Sequence, residues 1–326
     1  MEKSLEVKPC SVRVQLFWLP AARTGINART PDPVMSRLHA DIALLLAAAI
    51  WGVAFIFQKS AMAYIGPLAF IASRGAVAAL ALAPLALREG RRPGAKSASI
   101  GFWKIAISGG VAFFVAAWLQ QAGIRTATVT NTGFLTALYV VITPFIAWTW
   151  NRIRPSAAVW PAVILSAVGT WLLSGGLIGT FSDGDKLVAV SALFWALHVV
   201  VTGRASPFRR PIAYTAVQFA VVSALAMLFS LSLESTSLDG LIAAAPEIAY
   251  VGLLSSALTF TLLTVALQYT PPAEAAVIIS LETVFAAVAA YWLLGERLGL
   301  VGWAGAALIM AAVLTLQLGT ALASRR

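Results

Sequence analysis

Gln268 to Gly299 reads QYTPPAEAAVIISLETVFAAVAAYWLLGERLG, and this run decides the fold. It opens on Pro271-Pro272, where a helix loses little because its first N–H groups have no intrahelical partner. It then continues apolar for the ~20 residues that cross a hydrocarbon layer of roughly 30 Å. One carboxylate, Glu282, falls near its middle. Ionisable groups at that depth are costly unless they face a polar or wet interior, so they mark pathways.

The rest of the chain agrees with lipid as its solvent. Of 326 residues, 60% are hydrophobic and 11% charged, with a mean hydropathy of +0.86. A soluble domain of that composition has too little polar surface to show water. The single cysteine, Cys10, lies outside every apolar run, so disulfides are no part of the framework. A net charge of +10 raises nucleic acid as a partner, but the basic residues sit between apolar runs rather than on one face with stacking aromatics.

Residues 1–40 are polar, Arg-rich and carry four prolines, without an apolar stretch long enough for a secretory signal. They read as a disordered cytoplasmic tail, and Met35, followed by SRLHADIALLL, reads as an alternative start. Ten apolar runs follow: Ile42–Ala63, Pro67–Leu87, Gly101–Gln121, Ala127–Trp150, Ser156–Ser174, Lys186–Gly203, Pro211–Ser232, Pro246–Gln268, Pro272–Leu294 and Gly299–Leu318. Short connections make successive helices antiparallel. With a cytoplasmic N-terminus, eighteen of the 23 basic residues fall on the cytoplasmic side, against Lys59, Arg125, Lys186 and Arg297 at the outer ends and Arg74 inside the membrane. The basic bias predicts both termini, including the short tail 321–326, in the cytoplasm of a cell that holds the protein in its inner or plasma membrane.

The chain repeats itself. Trp51 and Trp195, Arg74 and Gln218, Thr126 and Thr270, and Trp148 and Trp292 all differ by 144 positions, and Ala76-Val77 matches Ala220-Val221 in the same register. One gap-free offset therefore pairs runs one to five with six to ten. Five is odd, so the second copy enters the membrane from the opposite side. The expected fold is all-α integral membrane, ten transmembrane helices as two inverted five-helix repeats spanning 41–174 and 185–320. Such halves exchange conformations about a central site, which is the plan of a carrier.

Here the residues resemble a known family. WGVAF at Trp51, FIASRGAVAALAL around Arg74, ALQYTPPAEAAVIISLETVF and WLLGERLGLVGWAGAALI are similar to the EamA-type repeat of the drug/metabolite transporter superfamily, over roughly Asp41 to Gly319. The resemblance implies ten helices, cytoplasmic termini and export or exchange of small metabolites, often amino acids. Two departures stand out: WNRIRP lies where the first copy would carry LGER, and Thr283 stands where many relatives have proline.

Eight residues are candidates for lining the pathway. Arg74, about seven residues into the second run, is too deep to snorkel out easily, and reads either as a cation for a substrate carboxylate or as a structural tie to backbone carbonyls. Gln218 keeps a polar group at the mirrored depth. Glu282 reads as a proton-coupling group, a partner for Arg74, or a packing residue between helices. His198 lies one turn after Trp195 on one face of the sixth run; it reads as a proton relay or solute contact, or as a satisfied structural group. Trp51 and Trp195 fall near mid-depth and either wall a cavity or pack at the symmetry axis. Thr128, Thr132, Thr136, Tyr139 and Thr143 make a polar stripe on the fourth run, ahead of Pro144, with Asn131 and Tyr139 as lining candidates. Lys59 reads as a snorkelling residue, and Gly299, Gly302, Gly305 and Ala306 as a small face for helix packing, with a weak homodimer as the other reading.

No Gly-rich phosphate loop, metal-ligand cluster or nucleophile motif occurs, so neither catalysis nor ATP-driven pumping has support; no cofactor or metal is expected. The expected function is secondary transport of small metabolites, amino acids first and aromatic ones among them, with protons as a coupling ion. An antiporter of phosphorylated or nucleotide sugars is the alternative, and a channel or membrane-embedded enzyme the alternative of another class.

Overall fold

A computed structural model describes residues 35–91, 98–152, 154–173, 182–295, 297 and 299–323. Residues 1–34 of the expected tail lie outside this set, as do 324–326. The described chain is helical throughout and forms one compact unit.

The helices are α1 (Arg37–Ala61), α2 (Pro67–Gly90), α3 (Ile100–Gly123), α4 in two halves (Val129–Ala137 and Tyr139–Asn151), α5 (Val159–Leu173), α6 (Asp183–Gly203), α7 (Pro211–Leu233), α8 (Ala245–Ala266), α9 in two halves (Pro272–Ile279 and Glu282–Leu294) and α10 (Leu300–Ala323). Among the described residues nine are long and apolar enough to cross a bilayer, and α5 is a shorter tenth. A short helix, Leu238–Ala243, precedes α8. The first helix starts at Arg37 rather than Ile42, because Ser36 caps it by accepting from the His39 amide. Ser99, Thr128 and Ser182 cap α3, α4 and α6 in the same way, while α2, α7 and α9 begin on proline.

Two repeats, α1–α5 and α6–α10, pack about a pseudo-two-fold axis. Helix α2 lies on α7 and α5 on α10; α1 packs on α8 and α9 as α6 packs on α3 and α4. The axis is sharpest at α2 and α7, whose starts each receive a carboxylate from the other repeat. Glu234, after the end of α7, accepts from the amides of Leu68 (2.9 Å) and Ala69 (2.8 Å). Glu89, at the end of α2, accepts from those of Ile212 (3.2 Å) and Ala213 (2.8 Å). The capped residues differ by 144, and each acid satisfies orphan amides at a positive helix end. The reciprocal exchange requires α2 and α7 to run antiparallel, as inverted copies must.

Helices α5 and α10 cross at glycines: a methyl on Gly169 would stand 2.7 Å from the Gly305 carbonyl oxygen. Gly305 therefore serves internal packing, whereas Gly299 has nothing within 4 Å.

Two helices expected to be continuous are not. α4 breaks at Leu138 and α9 at Ser280-Leu281, where i→i+3 bonds replace the α pattern (Val141 N to Leu138 O, 3.1 Å; Thr283 N to Ser280 O, 3.2 Å). Side-chain hydroxyls divert nearby carbonyls: Thr143 donates to Tyr139 O, Ser280 to Val277 O and Thr283 to Ser280 O, a pattern that bends helices. In α8, residues Tyr250–Leu258 form a π-helical stretch. All three irregularities border the same central cavity.

Candidate functional site

The cavity lies between the repeats and has about 60 Å³ of open volume, room for a few waters, so a larger guest needs its walls to part. Its wall includes Trp51, Arg74, Tyr139, Trp195, His198 and Glu282, six residues from five helices. The broken helices place two of them: Tyr139 begins the second half of α4 and Glu282 the second half of α9. At the positive end of its half-helix a carboxylate is well placed.

The aromatic wall is centred on Phe260. Its ring meets Trp51 at 4.8 Å, Phe113 at 4.9 Å, Phe219 at 5.5 Å and Trp195 at 6.2 Å. The Trp51 indole donates to the Ser255 carbonyl, 2.9 Å away inside the π-helical stretch; Thr259 donates to the same oxygen. Gln120 donates to the Thr136 hydroxyl at 2.7 Å, so α3 and α4 meet at the cavity edge.

The polar groups of the wall are mostly without protein partners. Arg74 is 3% exposed; its guanidinium rests against the Phe70 and Phe113 rings at 5.7 and 5.6 Å, and its Nε has no hydrogen-bond acceptor. Glu282 is 4% exposed; its Oε1 has no donor within hydrogen-bond geometry, and the Tyr139 hydroxyl lies beside the carboxylate. Gln58 Oε1, Tyr139 Oη, Trp195 Nε1 and His198 Nδ1 likewise have no partner within hydrogen-bond geometry. Buried polar groups in folded proteins nearly always find partners, and each one left alone costs about 1–3 kcal/mol. Six of them converging on one cavity mark a place built for a polar guest.

Some expectations need correction. Arg74 and Glu282 share the cavity without forming an ion pair; among the described residues the ion pairs are Arg37–Asp41, Arg37–Glu274 and Lys186–Asp183. Gln218 is not on the wall but behind His198, its Oε1 2.8 Å from Nε2. Asn131 is also off the wall, because the first turn of α4 points it at Asp185 of α6, Nδ2 to Oδ1 3.3 Å. Of the α4 stripe only Thr136 and Tyr139 reach the cavity, while Thr132 and Thr143 donate to carbonyls of their own helix. Lys59, expected to snorkel, donates instead to the carbonyls of Ile124, Arg125 and Ala127, 2.6–3.1 Å away beyond the end of α3.

Sequence reasoning missed Gln120 and Ser255 and gave Gln58 no role on the wall. The signal was available, since a lone amide in an apolar run carries the same warning as a carboxylate. For Phe260 there was none, because an aromatic residue in a membrane helix is unremarkable by itself.

Comparison with known proteins agrees with this architecture. A 29% identical relative, over 95% of this chain and 92% of its own length, is an uncharacterized transporter of Archaeoglobus fulgidus. A solved crystal structure superposes with a TM-score of 0.71 over 87% of this chain and 98% of its own, at 15% identity, and so supports the fold alone. The sequence profile of the EamA-like transporter family matches residues 38–175 and 183–317, one match for each repeat, and the chain is therefore a multi-pass membrane protein belonging to the EamA-like transporter family.

Proposed function

We propose that the chain is a secondary carrier that exports small zwitterionic metabolites, amino acids foremost and aromatic ones among them, by alternating access between its two repeats. One observation carries this reading: a cation, Arg74, and a carboxylate, Glu282, that do not pair with each other face one cavity with aromatic walls. A zwitterion supplies a carboxylate for the first and an ammonium for the second, and an apolar or aromatic side chain suits Trp51, Trp195 and Phe260. Charge-assisted bonds of this kind are the strong ones. A phosphorylated solute carries at least two negative charges, and the wall offers a single cation.

In this reading both termini lie in the cytoplasm, the membrane is the cell's inner or plasma membrane, and protons couple to export through Glu282. A carrier with two exchanging halves also differs from a channel and from an enzyme, neither of which needs the duplicated frame.

Counterflow in liposomes containing the purified chain, with labelled amino acids and sugar phosphates, tests the reading. Amino-acid uptake that Arg74→Ala reduces by about 30-fold or more, the effect of losing a buried charge partner, is the expected result. Uptake unaffected by Arg74→Ala would remove the site assignment, and uptake of sugar phosphates alone would remove the solute class. An unchanged pH profile in Glu282→Gln would remove proton coupling through that residue.

A further inference from the structure

We propose that Trp195 and His198 form a specificity pair that reads a hydroxyl on the side chain of the transported solute, with Gln218 as the residue that positions the imidazole. The proposal rests on the amino-acid reading above and names which amino acids the site favours.

The two residues sit one helical turn apart on α6, their rings 5.9 Å apart and perpendicular. Both line the cavity, and His198 is fully buried. Gln218 Oε1 lies 2.8 Å from His198 Nε2. An amide oxygen only accepts, so Nε2 carries a proton. The neighbouring Thr202 hydroxyl is compatible with this tautomer: its oxygen can accept from the same nitrogen, 3.2 Å away, and it lies 3.0 Å from Tyr214 Oη, where either hydroxyl can donate. The other rings against His198 are Phe113 and Phe260, and its hydrogen-bond partners are neutral. With Nε2 protonated, Nδ1 of the neutral ring is a bare acceptor, and it has no protein donor.

Trp195 supplies the opposite half. Its Nε1 is a buried donor without an acceptor. The two-fold mate, Trp51, has spent its N–H on the Ser255 carbonyl. The repeat therefore duplicates the indole, but only one copy keeps a free donor. A donor and an acceptor on adjoining rings match a group that accepts and donates at once, which a hydroxyl does. The pair shares the cavity with the cation assigned to the carboxylate, and one ring, Phe113, touches both: the Arg74 guanidinium at 5.6 Å and the His198 ring at 5.4 Å.

Sites built to hydrogen-bond a hydroxyl reject the analogue that lacks it, because their own buried groups are then left unpaired. Tyrosine and phenylalanine are the matched probes. In counterflow with the full chain in liposomes, wild type is expected to take tyrosine with a kcat/KM about tenfold or more above phenylalanine. Trp195→Phe, which removes the N–H and keeps an aromatic ring, and His198→Leu each move that ratio toward one by lowering tyrosine more than phenylalanine. Gln218→Leu moves it in the same direction, which loss of a packing contact would not do. Trp51→Phe changes rates but keeps the ratio. Equal handling of the two amino acids by wild type overturns the proposal without recourse to any variant. A preference that survives in both Trp195→Phe and His198→Leu also overturns it. Transport of neither amino acid, with uptake of another solute, sinks the amino-acid reading itself and the pair with it, an outcome distinct from uptake without discrimination.

Discussion

Asp41 and Asp185 are 144 residues apart, equivalent positions near the starts of α1 and α6, and both are buried. Their surroundings differ. Asp41 accepts from Thr270 (2.8 Å) and Gln317 (3.1 Å) and faces Arg37 at 3.8 Å. Arg37 also reaches Glu274, whose other oxygen accepts from Ser156 at 3.3 Å. That network ties α1 to α9, α10 and the approach to α5. Asp185 instead closes a capping box on its own helix, accepting from the Ser182 amide (2.9 Å) and hydroxyl (2.8 Å), with Asn131 as its one hydrogen-bond partner on another helix among the described residues. Duplication copied the backbone and the acid, while the partners that decide how tightly each end is fastened were set separately. The end with Asp41 is bolted across elements; the end with Asp185 is held by a helix cap and by Lys59 on the carbonyls beyond α3.

On that contrast, Asp41→Ala has the largest effect of a single change at either end. It removes two buried charge-assisted bonds and a partner of Arg37, a loss of roughly 2–4 kcal/mol, read as a clear drop in the thermal midpoint of the detergent-solubilised protein. The next effect tests the same asymmetry at the cavity. Gly52 lies under α9, where an added methyl would stand 2.6 Å from the Ala286 nitrogen and 2.7 Å from the Glu282 carbonyl oxygen, whereas its mate in the second repeat is Ala196. Gly52→Val should cost about 1–3 kcal/mol by overpacking and lower transport; Ala196→Gly should cost under about 1 kcal/mol. Asp185→Ala comes third, near 1 kcal/mol as for a lost N-cap; a midpoint as low as that of Asp41→Ala would erase the comparison. Lys59→Met is the smallest, below about 1 kcal/mol for a partly exposed cation on helix-end carbonyls.

The frame was legible because its signals are local. Span length, the proline starts of α2, α7 and α9, and the constant offset can all be read within a window or by sliding the chain against itself. The breaks in α4 and α9 were not legible: neither Leu138 nor Ser280-Leu281 contains a glycine or proline, and the hydroxyl bonds that bend the backbone there form only once the helices are buried. The site was half legible. Depth singled out Arg74 and Glu282, since an ionisable group in hydrocarbon signals itself, and the two tryptophans, which fall near mid-depth rather than at the interfaces. The polarity of the fourth run put Asn131 on the wall and the repeat offset put Gln218 there, where they are not, because neither signal says which way a side chain turns.

By itself the sequence determined a lipid-embedded, all-helical chain of two inverted repeats and the transporter class that such a frame serves. Only the tertiary structure decided that Arg74 and Glu282 do not pair with each other, that Trp51 is bonded and Trp195 free, and that Asp41 rather than Asp185 anchors several helices. The physical reason is range. Hydrophobic span and periodicity belong to neighbouring residues, whereas the partner of a buried polar atom lies far along the chain, as Ser255 does from Trp51 and Gln317 from Asp41, and is fixed only when the helices pack.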